Sequence, residues 1–113
     1  RFETVAKIGT GMSDQELQDL KMFCESLAVS KKPDNIWCDK NLYPDVWTVP
    51  KRVCLIRADE ISRSPIHTAG KTVSENGYAL RFPRIMGSRP DKDPEQSTSP
   101  EEIKRLYELQ ISK

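Results

Sequence analysis

Leu80-Arg81-Phe82-Pro83-Arg84-Ile85-Met86-Gly87-Ser88-Arg89-Pro90-Asp91-Lys92 reads as a short apolar strand that runs into a cation-rich, proline-broken loop, and the rest of the chain reads outward from it. Arg81, Arg84, Arg89 and Lys92 face a single acid, Asp91, so the stretch carries a net charge of +3, whereas all 113 residues together carry only +1. Such concentration favours phosphate oxygens, because guanidinium groups bind them bidentately and lysine adds a mobile point charge.

The length suits one domain with one apolar core. Hydrophobic residues at 36% and charged residues at 31% fit a small soluble domain and argue against wholesale disorder. No run approaches the roughly 20 apolar residues that span a bilayer, so no membrane partner is expected. Arg1-Phe2-Glu3-Thr4 opens inside what reads as a strand, without an initiator methionine or a signal-peptide pattern. An excised piece of a longer, non-secreted protein is expected. Cys24, Cys38 and Cys54 have no C-x-x-C spacing, which supports neither a zinc knuckle nor a closed disulfide framework; no metal ligand is assigned, and a reducing interior is expected.

Phe2 to Ile8 alternates as a half-buried strand does and is stopped at Gly9-Thr10-Gly11. Ser13 and Glu16 then form a capping box, and Leu17, Leu20, Phe23, Cys24 and Leu27 fall on one stripe of a helix ending near Ala28. Residues 29–44 read as an insertion with one short strand at Ile36-Trp37-Cys38. Val46 to Val49 and Val53 to Ile56 are strand-like, the second continuing toward Ile61. Ser62 to Gly70 reads as a loop, and Asn76-Gly77 as a tight turn into Tyr78 to Phe82. Pro90, Pro94 and Pro100 keep the following segment extended until Ser99 and Glu102 cap a short helix whose Ile103, Leu106, Tyr107 and Gln110 share a face. Many short strands with few helices point to a mainly β fold, a small twisted barrel, rather than an α/β sheet.

Catalytic constellations are absent from the pattern. His67 has no nucleophile partner at a diagnostic spacing, neighbouring Asp59 and Glu60 would face opposite ways on a strand, and neither a Walker loop nor G-x-G-x-x-G occurs. Lys32-Pro33-Asp34-Asn35 misses the K-x-D-G of a covalent nucleotidyltransferase lysine by one residue, and its polar turn lacks the apolar surroundings that would depress a lysine pKa.

Leu80-Arg81-Phe82-Pro83-Arg84, followed by Arg89-Pro90-Asp91-Lys92, resembles the R-F-P-R-F…R-x-D-K signature on the oligonucleotide-binding (OB-fold) domain of ATP-dependent DNA ligases. Lys7-Ile8-Gly9-Thr10-Gly11-Met12-Ser13-Asp14 resembles the strand-to-helix entry of that domain. Arg57 to Ile61 with Ser64 to Gly70, and the closing Glu102 to Tyr107 helix, extend the likeness over nearly the whole chain.

The resemblance implies a five-stranded Greek-key OB barrel over residues 1–113, with a helix inserted after strand 1 and a proline-rich extension plus C-terminal helix over 93–113. It implies that Arg89 and Lys92 approach the β- and γ-phosphates of ATP when the domain closes over the nucleotidyltransferase core, with Asp91 orienting them. Arg81, Arg84 and Ile85 would face nicked duplex DNA. Ile85 stands where the family commonly has phenylalanine, and Gly87 where arginine is common. ATP and Mg2+ would be bound mainly by a core outside this sequence, so no activity is expected of the chain alone. Nicked double-stranded DNA and the nucleotidyltransferase domain of the same protein are the implied partners, with a sliding clamp as a further candidate, in a monomer of the cytoplasm or nucleoid, or of a eukaryotic nucleus, serving replication, repair or recombination. Two other classes fit the residues: a single-stranded nucleic-acid binder stacking bases on Trp37, Tyr43 or Trp47, and a protein-interaction domain using Tyr107.

Overall fold

The computed structural model describes residues 1–9 and 11–112. Its elements in chain order are β1 (Phe2–Glu3), α1 (Asp14–Ser26), β2 (Ala28–Val29), β3 (Ile36–Trp37), β4 (Trp47–Thr48), β5 (Cys54–Arg57), β6 (Glu60–Ser64), β7 (Gly77–Arg81), β8 (Arg84–Ser88) and α2 (Pro100–Ile111), with short 3-10 turns at Lys40–Leu42 and Pro94–Gln96. The fold is a small β-rich one with two helices. Its strands form four two-stranded ladders, and among the described residues none closes into a barrel.

Both helices start where local chemistry demands. Ser13 Oγ accepts the Glu16 N–H at 3.2 Å while Glu16 accepts the Ser13 N–H at 3.3 Å, and Ser99 and Glu102 repeat the exchange at 3.2 and 3.1 Å. The α1 helix stops at Ser26, two residues before the expected Ala28, with the Leu27 N–H turned back to the Cys24 carbonyl.

The β5–β6 and β7–β8 segments make one long antiparallel ribbon. Arg57 lies opposite Arg84, and three residues further along each strand Glu60 lies opposite Arg81. The ladder therefore resumes in register across a bend at Ala58-Asp59 and Phe82-Pro83, and the Asp59 N–H to Arg81 carbonyl bond of 3.0 Å spans that bend. This ribbon corrects three expectations. Residues 84–88, read as loop, are strand; Ser62 to Ser64, also read as loop, complete β6; and the run from Val53 to Ile61 is interrupted at the bend. Proline and clustered charge suggested a loop locally, but pairing to β5 supplies the backbone hydrogen bonds that make Arg84 to Ser88 extended.

The N-terminal strand is shorter than its alternation suggests. Phe2 and Glu3 pair in parallel with Ile36 and Trp37, after which the Thr4 and Val5 carbonyls accept single bonds from Ala69 and Leu80, tying this segment to β7. The core sits between the β6–β7 half of the ribbon and α2. Tyr78, Ala79, Ala69 and Ile103 are buried, and the Tyr78 and Tyr107 rings lie 5.2 Å apart. Gln110 clamps the helix to the sheet edge by accepting the Ile61 N–H and donating to the Ile61 carbonyl, both at 2.8 Å. The α2 helix thus docks on its own fold. Gly77 is required by close approach, since a Cβ there would overlap the His67 carbonyl oxygen.

Candidate nucleic-acid and phosphate interface

The cationic stretch divides into two sites at opposite ends of β8. Arg84 and Arg89 are five positions apart, which at about 3.3 Å per residue places them roughly 16 Å from each other along the strand.

At the bend, each arginine meets one acid of the Asp59-Glu60 pair. Arg84 donates to Asp59 at 3.0 Å and to the Phe82 carbonyl at 2.8 Å, and Arg81 lies 3.4 Å from Glu60. The antiparallel register is what brings these carboxylates to the arginines, a relationship no local pattern reveals. Between the two arginines stands Phe82. Its φ of 53° is the one positive value at a non-glycine residue among the described residues, and the residue is 62% exposed, with the Arg81 guanidinium 5.3 Å from the ring centre. Left-handed backbone at a bulky residue is costly, and here the Arg84 hydrogen bond to the Phe82 carbonyl braces the corner. Ile85, expected to face DNA, is half-buried opposite Ile56, and its backbone lies so close to Gly11 that a Cβ on that glycine would come within 2.6 Å of the Ile85 carbonyl oxygen. Phe82 and Met86 are the exposed apolar side chains of the stretch.

At the far end, the Arg89 N–H bonds the Val53 carbonyl at 2.7 Å, and the chain turns so that the Lys92 N–H reaches the Arg89 carbonyl at 3.1 Å. Asp91 accepts a two-pronged bond from Arg89, at 3.0 Å from Nε and 2.9 Å from Nη2. That fork holds the Asp91 carboxyl below its ordinary range and raises the guanidinium further still. The pair is exposed, so it orients the arginine more than it stabilises the fold. Arg89 and Lys92 both line the rim of a large cleft between the ribbon and α2. Gly87 lies just past the bulge between the Leu55–Gly87 and Ile56–Ile85 pairs, and a side chain there would meet open space.

The family model described as ATP dependent DNA ligase C terminal region matches residues 1–92. The chain belongs to that family. Its relatives include a "Probable DNA ligase" of Dictyoglomus thermophilum, 43% identical over 96% of this chain and 19% of that protein. "DNA ligase 2" of Korarchaeum cryptofilum is 39% identical over 97% of this chain and 18% of its own length, and the "DNA ligase" of Sulfolobus acidocaldarius 37% identical over 99% and 19%. The chain thus spans about a fifth of the length of the curated relatives it matches.

Other candidates in this ligase C-terminal region have structural occupations. Lys32 donates to the Ile36 carbonyl at 2.6 Å and closes its own loop. His67 Nδ1 lies 2.8 Å from the buried Ser64 hydroxyl, whose oxygen also receives the Ile66 and His67 N–H groups; desolvation lowers the imidazole pKa. The Arg1 guanidinium covers Trp37 at 3.9 Å, and Tyr43 meets Trp47 edge-on at 5.2 Å, so these rings are not arrayed with the arginines of the ribbon. Cys24, Cys38 and Cys54 are free, and burial raises the Cys38 and Cys54 thiol pKa values. Among the described residues no group of three or more His, Cys, Asp and Glu side chains could hold a metal ion, and no helix is long and apolar enough to cross a membrane.

Proposed function

We propose that this C-terminal region works in nick sealing through two separate cationic ends of one strand, as part of an OB-type barrel completed in the whole protein. The observation that carries the reading is the Arg89–Asp91 fork beside Lys92, set about five strand residues from the Arg81–Arg84 corner. A guanidinium held in advance of its ligand loses less entropy on binding phosphate. Arg89 and Lys92 serve the pyrophosphate end of ATP when the domain closes on the nucleotidyltransferase domain of the same protein. Their charge stabilises the leaving group while a lysine of that domain is adenylylated. Asp91 positions Arg89.

Arg81 and Arg84 contact the backbone of nicked duplex DNA after the domain turns its other face, with Ile85 behind them. Backbone contacts of this kind carry affinity and salt dependence rather than sequence preference. Among the described residues no cluster of His, Cys, Asp and Glu fits a divalent cation, so Mg2+ is assigned to the nucleotidyltransferase domain and none of this chain's steps runs through it. Residues 93–113 act as a strap that α2 anchors. The protein works as a monomer where the chromosome is kept, and the chain by itself does not seal DNA.

The test uses the full-length protein. Arg89→Ala and Lys92→Ala should slow formation of the enzyme-adenylate at least tenfold more than sealing of a nick already carrying adenylate. Equal loss in both assays would refute the assignment.

A further inference from the structure

The last residue of β5, Arg57, stands directly opposite Arg84 in the antiparallel register. Side chains so placed share one face of the ladder with Cβ atoms about 4.5–5.5 Å apart, and like charges in those positions are destabilising. Three cations and two acids meet at this corner, and both acids are taken. Asp59 lies 3.0 Å from Arg84, and Glu60 lies 3.4 Å from Arg81. Arg57 is exposed, and among the described residues its side chain has no ion pair, no hydrogen bond and no aromatic ring beneath it. The uncompensated charge of the corner is therefore that of Arg57.

The two facing arginines differ in the donors they have free. Arg84 donates from Nη1 to the Phe82 carbonyl and from Nη2 to Asp59, whereas the whole guanidinium fork of Arg57 is unengaged. A planar fork with all its donors available is the group that binds phosphate oxygens bidentately. Packing makes no demand for a cation at this position. The preceding pair, Ile56 opposite Ile85, is half-buried, and strand alternation puts Arg57 on the other face. An anion seated against Arg57 and Arg84 would replace their repulsion with two attractions, so the arrangement is unfavourable in the free protein and favourable in a complex with phosphate.

We propose that Arg57 is a further backbone-phosphate contact for nicked duplex DNA, carrying the DNA-facing surface from β8 onto β5. Its place opposite Arg84 sets it at that end of the strand and not at the Arg89 end. Leu55 and Met86, both exposed, flank the arginine pair along the two strands and offer apolar surface to the sugars between phosphates. The inference rests on the reading of Arg84 as a DNA contact and deepens it: Arg84, tied to Asp59, shapes the corner, and Arg57 supplies the freer donors.

Anisotropy titrations of the full-length protein with a nicked duplex, over a salt series, read the contact. Arg57→Gln should weaken binding several-fold at low salt and lower the salt slope of log K by about one, and Arg57→Lys should keep the slope. Because one of two facing like charges is removed, the thermal midpoint of Arg57→Gln should be unchanged or higher. Weaker binding together with a lower midpoint would overturn the proposal, since Arg57 would then act through the fold. An unchanged slope for Arg57→Gln beside a reduced slope for Arg84→Ala would also overturn it and leave the DNA-contact reading of Arg84 standing. Unchanged slopes for both variants would overturn the two together.

Discussion

Arg84 reaches Asp59 at 3.0 Å across the bend in the ribbon, and the same guanidinium holds the carbonyl of Phe82, whose backbone is left-handed. The acid therefore masks a cation at the proposed DNA-contacting corner while helping to shape it. An exposed pair of this kind contributes only about 0.2–1 kcal/mol to stability, so its substitution should act mainly on binding. Arg84→Ala should weaken binding of nicked duplex and lower the salt slope of log K by about one. Asp59→Asn should strengthen binding several-fold at low salt. Anisotropy titrations over a salt series check both, and an unchanged slope for Arg84→Ala would remove it from the phosphate contacts.

Asp91 offers a cleaner separation of orientation from charge. Asp91→Asn keeps the shape of the side chain but loses the charged fork to Arg89. In the full-length protein it should slow enzyme-adenylate formation about tenfold while leaving the affinity for nicked duplex unchanged. Because the fork lowers the Asp91 pKa, the carboxylate should stay ionised below the ordinary value of about 3.9. A carbon-13 titration of the side chain reads this directly, and Arg89→Ala should return the midpoint toward the ordinary range.

His67 gives the fold a pH dependence on the acid side of neutrality. Its folded-state pKa is lowered by desolvation. Above the unfolded value, about 6.5, both states are neutral and stability is constant. As pH falls below that value the unfolded chain takes up a proton that the folded chain resists, and stability declines. The urea midpoint should fall between pH 7.5 and 5.5, and His67→Asn should reduce that fall.

Gly77 tests the tight approach of the 67–69 loop to β7. A Cβ there would overlap the His67 carbonyl oxygen, which backbone cannot easily yield, whereas a Cβ at Gly9 would meet nothing within 4 Å. Gly77→Ala should cost about 1–3 kcal/mol by strain, and Gly9→Ala should lie within about 0.5 kcal/mol of the parent chain. Urea unfolding of both variants makes the comparison.

The helices were legible because their signals are local: Ser13 with Glu16, and Ser99 with Pro100 and Glu102, complete their caps within one turn. The start of β7 was legible near Asn76-Gly77, although Gly77 is already a strand residue opposite Ser64 and the chain bends at residues 73–75 instead. Strand β8 was not, since Pro83, Gly87 and three arginines argue for loop until the partner strand is known. The left-handed backbone of the exposed Phe82 and the approach of Gly11 to the Ile85 backbone were not legible, because nothing near either residue in sequence announces them.

By itself the sequence determined the concentration of charge between Arg81 and Lys92, the two capped helices and the family likeness, all of which depend on residue identity over short spans. Only the tertiary structure decided that Arg81 and Arg84 meet Glu60 and Asp59 at one end of β8 while Arg89 and Lys92 line a cleft at the other. The reason is register. Which side chains face one another across an antiparallel ribbon is fixed by pairing between residues 13 to 34 positions apart, and a shift of one residue would have exchanged every partner.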